Sequence, residues 1–343
     1  MERGSMLGAR FGTRGRGLEP RAAALAAVAA FCTLLAPNVL TGQNSDSSGV
    51  RLFEAGKFKE AKTVFEPAFK SNARDAAAAF YLGRIAMEER KHDRAADYFE
   101  AATKLEPTSS TYFLWLGRAY GREAQNANVL RQPGLAKKAK AAWQHAVDLD
   151  ANNLDARSDL IQYYVQAPGF LGGSTAKALE QAEEIRKRNA LRGYLELGAL
   201  FERDKKLAEA QKAYLGAANE KSDRHVGEYR LGLFYQNTGA YDKAFDLFES
   251  MIAANPTEVG ALFQIGKTGA LSGQRLERAA EALDAYLQTT PGRNDPSLAA
   301  AHWRLGMVHE KRQDRQRAKA EYETALRLDP TFKPATESLK KLT

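Results

Sequence analysis

A 34-residue recurrence governs this chain. Gly49, Gly83 and Gly117 stand 34 residues apart, and so do Gly198, Gly232 and Gly266. A second set keeps step with them: Ala61 with Ala95 and Ala210 with Ala244, each followed four places on by a large residue (Phe65, Phe99, Tyr214, Phe248). A period of this length marks one supersecondary unit used repeatedly. The unit is clearest at residues 76–109, AAAAFYLGRIAMEERKHDRAADYFEAATKLEPTS. Two helices pack closely only where one presents a small side chain to the bulk of the other. Gly83, Ala95 and Ala102 supply the small surfaces, and Leu82 and Phe99 the bulk. Pro107 cannot continue an interior turn and so ends the second helix. One helix pair cannot hide its apolar faces alone, so neighbouring pairs must stack.

In period and residue types the pattern resembles the tetratricopeptide repeat (TPR) family. Eight copies can be placed over about residues 42–330. Copy three carries Leu116-Gly117-Arg118-Ala119-Tyr120, a turn lengthened by ten residues, then Ala139, Trp143 and Ala146. Copy four diverges most, with Leu160, Tyr164, Ala178, Ala182 and Ile185 but no glycine at its eighth position. Copy seven has one extra residue between Gly266 and Ala279. The resemblance implies an all-α, right-handed solenoid of about eight helix-turn-helix repeats. Residues 43–330 form the array, and residues 331–343 a C-terminal capping helix with a polar outer face. The resemblance implies a binding role as well, since such arrays hold proteins or peptides on the concave surface lined by their first helices, without a cofactor.

The N-terminus reads differently. Residues 1–21 are arginine-rich, Ala22 to Leu35 is an unbroken apolar run, and Pro37 follows. A basic region, a short apolar region and a helix breaker make up the layout of a secretory signal, with a cut after Gly42. The uncharged stretch from Ala22 to Leu40 is also long enough to remain as a single membrane tether. Residues 1–42 are thus a signal peptide or an anchor. Both readings place the repeats outside the cytoplasm, in a periplasmic or secreted setting. An arginine-rich organellar transit peptide is the third alternative, with Glu2 and Glu19 counting against it. The single cysteine, Cys32, lies in the apolar run, so the array has no disulfide and no cysteine metal site.

Charge excludes little but weakens one class. The formal net charge is +8, of which five arginines against two glutamates in the first 42 residues account for +3. The remaining excess is spread over mixed-sign helix faces, whereas nucleic-acid binding wants a concentrated basic face. Nucleic acid is therefore not expected as a partner; a basic surface for anionic lipid stays as an alternative. Catalytic motifs are also missing: there is no HExxH, GxSxG or Gly-x-Gly-x-x-Gly. Gly260 to Thr268 imitates a phosphate-binding loop, but five residues separate its glycines instead of four. His302 and His309 share a helix face without further metal ligands, so a packing or surface role is expected.

Two features are left as candidate sites. The fifth and ninth positions of the first helices share one face by i, i+4 spacing. The fifth holds Phe80, Leu114, Leu195, Tyr229, Phe263 and Trp303, and the ninth includes Arg84, Arg118 and Lys267. These side chains either line a partner groove or pack between adjacent first helices. The second feature is a pair of long turns, residues 121–137 and Ala167 to Ser174, which stacking places on one edge of the solenoid. An unrecognised enzyme site would lie there, and Gly172-Gly173 could form an anion-binding nest.

Overall fold

The computed structural model describes residues 40–222, 225–292 and 295–342, with side chains from Ser47 onward. Apart from the backbone of its last three residues, the expected export segment lies outside the described residues. Among them, every regular element is helical. Eight antiparallel pairs follow one another: α1 (Leu40–Glu54) with α2 (Phe58–Ser71), α3 (Ala76–Glu88) with α4 (His92–Leu105), α5 (Ser110–Asn126) with α6 (Gln132–Leu149), and α7 (Leu154–Gln166) with α8 (Thr175–Arg188). The array continues with α9 (Ala190–Arg203) and α10 (Leu207–Ala218), α11 (Val226–Asn237) and α12 (Tyr241–Ala254), α13 (Val259–Ser272) and α14 (Leu276–Leu287), then α15 (Leu298–Lys311) and α16 (Arg315–Leu328). A single helix, α17 (Lys333–Leu342), closes it. No described helix is long and apolar enough to cross a membrane.

Local chemistry sets the helix boundaries. Asp75, Ser109, Asn153, Asn189 and Ser297 each accept a hydrogen bond from the backbone N–H three residues on, capping the first helix of a pair. Second helices end on residues outside the helical region, such as Glu106, Asp150 and Asp329. Glu106 precedes Pro107, which disfavours helical backbone at the residue before it. Most turns within a pair use a residue with positive φ. Gly56, Gly239 and Gly273 supply it at no steric cost, whereas Arg90, Lys205 and Gln313 adopt it in the corresponding turns.

The small-against-large rule is realised in the packing. A Cβ on Gly83 would stand 2.6 Å from the Phe99 ring, and both residues are buried. Gly49 faces Phe65, Gly198 faces Tyr214 and Gly306 faces Tyr322 in the same register. Where the large residue is a tyrosine, its hydroxyl reaches a carboxylate at the end of the first helix. Tyr214 donates to Glu202 at 2.8 Å and Tyr322 to Glu310 at 2.8 Å. Copy four inverts the sizes: Ile161 stands in the glycine register and Ala182 in the aromatic one, and both are buried. The missing glycine is thus matched by a small residue in the register that is aromatic elsewhere, within one buried cluster.

One expectation is corrected. The ten additional residues of copy three do not form a long loop. They extend α5 to Asn126 and start α6 at Gln132, leaving only residues 127–131 as a turn. Alanines and long polar side chains dominate the insertion, and these are good helix formers. The copy-four insertion does stay irregular, with a short 3-10 turn at Gly169–Leu171 that packs on α6. The two insertions therefore share one edge.

Candidate functional site

Curvature decides which face could receive a partner. First helices approach one another across successive repeats, α1 to α3, α3 to α5, α5 to α7, α9 to α11 and α13 to α15. The second helices show no comparable approach. An array whose first helices are closer together than its second helices bends with the first helices inside, so their outward-turned positions line the concave face.

The fifth-position stripe divides on inspection. Phe80, Leu114 and Phe263 are only 8%, 6% and 6% exposed, so their side chains are committed to packing. Phe80 stacks on Tyr112 of the next repeat at 4.8 Å between ring centres. Leu195 is half-buried in the packing around α11. Tyr229 donates to Glu258 at 2.6 Å, and burial together with that carboxylate raises its pKa. Trp303 donates from Nε1 to Ser338 on α17 at 3.0 Å and packs edge-on against Phe332. Its main contacts are with the cap.

The ninth position behaves otherwise. Arg84, Arg118 and Lys267 are all partly exposed, and the first two meet the sixth position of the next first helix. Arg84 lies 3.7 Å over the Trp115 ring. Arg118 donates from Nε to Asp159 at 2.7 Å, and a second guanidinium nitrogen approaches Asp155 at 3.4 Å. Burial raises the Asp159 pKa in spite of Arg118. Asp155 is exposed, and Arg192 and Arg118 hold its carboxyl below the usual range against the cost of its desolvation. Arg192 pairs with Asp155 at 2.8 Å. Arg118 also borders two hollows on this face, of about 330 and 500 Å³, and Leu114 borders the larger.

The rung between copies seven and eight departs from this scheme. There the ninth position is Lys267 and the sixth of the next helix is Arg304, so a cation stands where the other rungs have a ring or a carboxylate, and its charge acts on the Lys267 ammonium. Among the described residues neither has a carboxylate within ion-pair distance. The Arg304 guanidinium lies 4.0 Å from the Trp303 ring centre, and its buried Nε has no hydrogen-bond partner. Burial pushes the Arg304 pKa down to about 10, and burial with the Arg304 charge lowers that of Lys267. Leaving two desolvated cations unpaired costs stability unless an anion joins them. Position six lies outside the i, i+4 stripe, which is why the spacing argument missed Arg304. Setting each ninth residue against the sixth residue of the next copy would have exposed it.

Other candidates are absorbed by the fold. The amides of Gly172 and Gly173 donate to Gly169 and Pro168, so the proposed anion nest has no free donors. Gly266, in the imitation phosphate loop, lies inside α13 and packs against Leu283. His302 contacts Glu321 at 2.6 Å and His309 is buried. No group of metal-ligating side chains is found among the described residues.

Comparison with known proteins agrees with the repeat. Two family profiles described as tetratricopeptide repeat match residues 48–121 and 299–332. The peroxisomal targeting signal receptor of Saccharomyces cerevisiae is 26% identical over 243 residues, which is 68% of this chain but only 37% of the receptor. Among solved structures, a thermophilic TPR protein of Thermus thermophilus is 21% identical, with a TM-score of 0.44 over 56% of this chain and 97% of its own. A tetratricopeptide repeat protein of Parabacteroides merdae is 16% identical, with a TM-score of 0.47 over 78% of this chain and 98% of its own. With profile matches near both ends, a 34-residue period and the small-against-large contact repeated between them, the array is built of tetratricopeptide repeats.

Proposed function

We propose that this protein is a non-catalytic scaffold or assembly factor that holds an acidic segment of a partner protein along its concave face, outside the cytoplasm. The unpaired Lys267 and Arg304 carry the reading. Where Arg84 and Arg118 meet an aromatic ring and a carboxylate, Lys267 feels the Arg304 charge and neither cation has a carboxylate partner among the described residues. A carboxylate from an extended partner would complete the rung, and charge-assisted hydrogen bonds are the strong ones. The absence of catalytic motifs from the sequence supports a binding role. The yeast relative is a receptor by name, which accords with holding a polypeptide.

The test is selection of a random phage-displayed peptide library on the purified protein. Acidic residues should be enriched in the selected peptides, and selection on a Lys267→Ala, Arg304→Ala double variant should lose that enrichment. Peptides without acidic enrichment, or the same enrichment on both proteins, would overturn the assignment. The location is tested separately by fusing residues 1–60 to a reporter active only outside the cytoplasm. An intact, silent fusion would contradict export.

A further inference from the structure

The edge built by the two insertions carries a second surface. Three large apolar side chains are far more exposed than any other among the described residues. Leu130 is 93% exposed, Phe170 82% and Val129 78%, whereas the next, Leu328, is 53%. All three sit at insertion tips, and Val129 and Phe170 border one largely apolar hollow of about 430 Å³. Single exposed apolar residues are ordinary, but their concentration at one place marks an interaction site.

The charge around these tips is one-sided. No acidic residue occurs between Glu123 and Asp148, nor between Asp159 and Glu180, while Arg131, Lys137, Lys138, Lys140 and Lys177 fall in those stretches. Arg131 follows Leu130 directly and pairs with Glu123 at 2.8 Å. Lys140 and Lys177 approach the Tyr164 ring at 5.6 and 5.9 Å, and Gly172 of the copy-four turn lies beside the Lys140 ammonium. Neither lysine has a carboxylate partner among the described residues. Apolar tips beside unpaired lysines match an anionic bilayer surface, whose interface takes up the apolar groups while its headgroups attract the cations. The cores of protein interfaces, by contrast, are depleted in lysine.

We infer that this edge, with Val129, Leu130 and Phe170 as its inserting tips and Lys140 and Lys177 as its headgroup contacts, docks the solenoid on an anionic lipid surface. This edge belongs to copies three and four and the Lys267 and Arg304 rung to copies seven and eight, so either assignment stands or falls without the other. The probe is a sedimentation assay with vesicles of phosphatidylcholine alone or containing roughly 30% phosphatidylglycerol, an anionic lipid. The protein should pellet with the anionic vesicles and stay in solution with the neutral ones. Lys140→Gln with Lys177→Gln should weaken binding about five-fold per lysine removed. Leu130→Ser with Phe170→Ser should weaken it about ten-fold or more, since burying those groups supplies the apolar part of the affinity. Thermal midpoints should hold in the serine variant, because both side chains are exposed. Failure to pellet with anionic vesicles would overturn the inference, as would binding that ignores the serine substitutions. Self-association in the absence of lipid that vanishes in the serine variant would assign the tips to a second copy of the chain and overturn it as well.

Discussion

Gly232 offers the sharpest test of how the repeats hold together. A Cβ there would stand 2.7 Å from Cε1 and 2.9 Å from Cε2 of Phe248, and closer still to Cζ. Ordinary carbon–carbon contact is about 3.5–4.0 Å, so even alanine intrudes by roughly 1 Å. Phe248 is 0% exposed and packs beside Tyr229, with little room to yield. Overpacking of this kind costs about 1–3 kcal/mol, against roughly 1 kcal/mol of helix propensity gained on replacing glycine. Gly232→Ala should therefore lose roughly 1 kcal/mol, and Gly232→Leu, with three more heavy atoms to place, roughly 3 kcal/mol. Copy four supplies the rescue. Its Ile161 and Ala182 exchange the sizes in these two registers and are both buried. Phe248→Ala alone should cost about 3–5 kcal/mol. Gly232→Ile combined with Phe248→Ala should lose less than the sum of its parts, by about 1 kcal/mol or more. Urea midpoints followed by far-ultraviolet circular dichroism give each value, with Lys243→Ala as a surface control that shifts stability by no more than about 0.5 kcal/mol. An unchanged midpoint for Gly232→Leu, or strict additivity in the pair, would refute the small-against-large contact.

Three further outcomes follow from the same geometry. Tyr322→Phe keeps the ring but removes the hydroxyl that Glu310 accepts from; the loss should be about 1 kcal/mol by thermal unfolding. Arg90 and Gly239 occupy corresponding turns with φ of 59° and 76°. Gly239→Ala should therefore destabilise by about 1 kcal/mol, whereas Arg90→Gly should be neutral or mildly stabilising in the same assay. Binding of an acidic peptide should also fall as pH rises toward about 10, because burial lowers the Arg304 pKa to about 10, and burial with the Arg304 charge lowers that of Lys267. A titration of affinity against pH checks this, and affinity unchanged to pH 11, about a unit above the lowered Arg304 value, would place the anion elsewhere.

Much of the architecture was legible in the sequence because the period is imposed by packing. A glycine that must face Phe99 or Phe248 cannot drift, so it recurs at fixed distance. What was not legible has equally physical reasons. A missing glycine in copy four hides a compensation, since only three-dimensional register matches Ile161 with the small residue of α8. Extra length between Tyr120 and Ala139 reads as a loop by analogy with neighbouring copies, although its composition suits helix. At the fifth position, periodicity names the face but not its depth. Phe80 and Phe263 are deep enough to belong to the core, whereas their ninth-position neighbours Arg84 and Lys267 stay near the surface because their charged ends seek water or a partner. The action of the Arg304 charge on Lys267 spans two repeats and needed the stacking register to be seen.

Charge reversal at Lys267 tests the central claim most directly. Lys267→Glu places a carboxylate beside Arg304 and completes the rung from within the chain. The account predicts a thermal midpoint equal to or above that of the natural protein, together with at least a ten-fold loss of affinity for a hexaglutamate peptide measured by fluorescence anisotropy; ten-fold corresponds to about 1.4 kcal/mol. A stabilised protein that still binds the peptide with unchanged affinity would show that the cation pair is not where the partner is held.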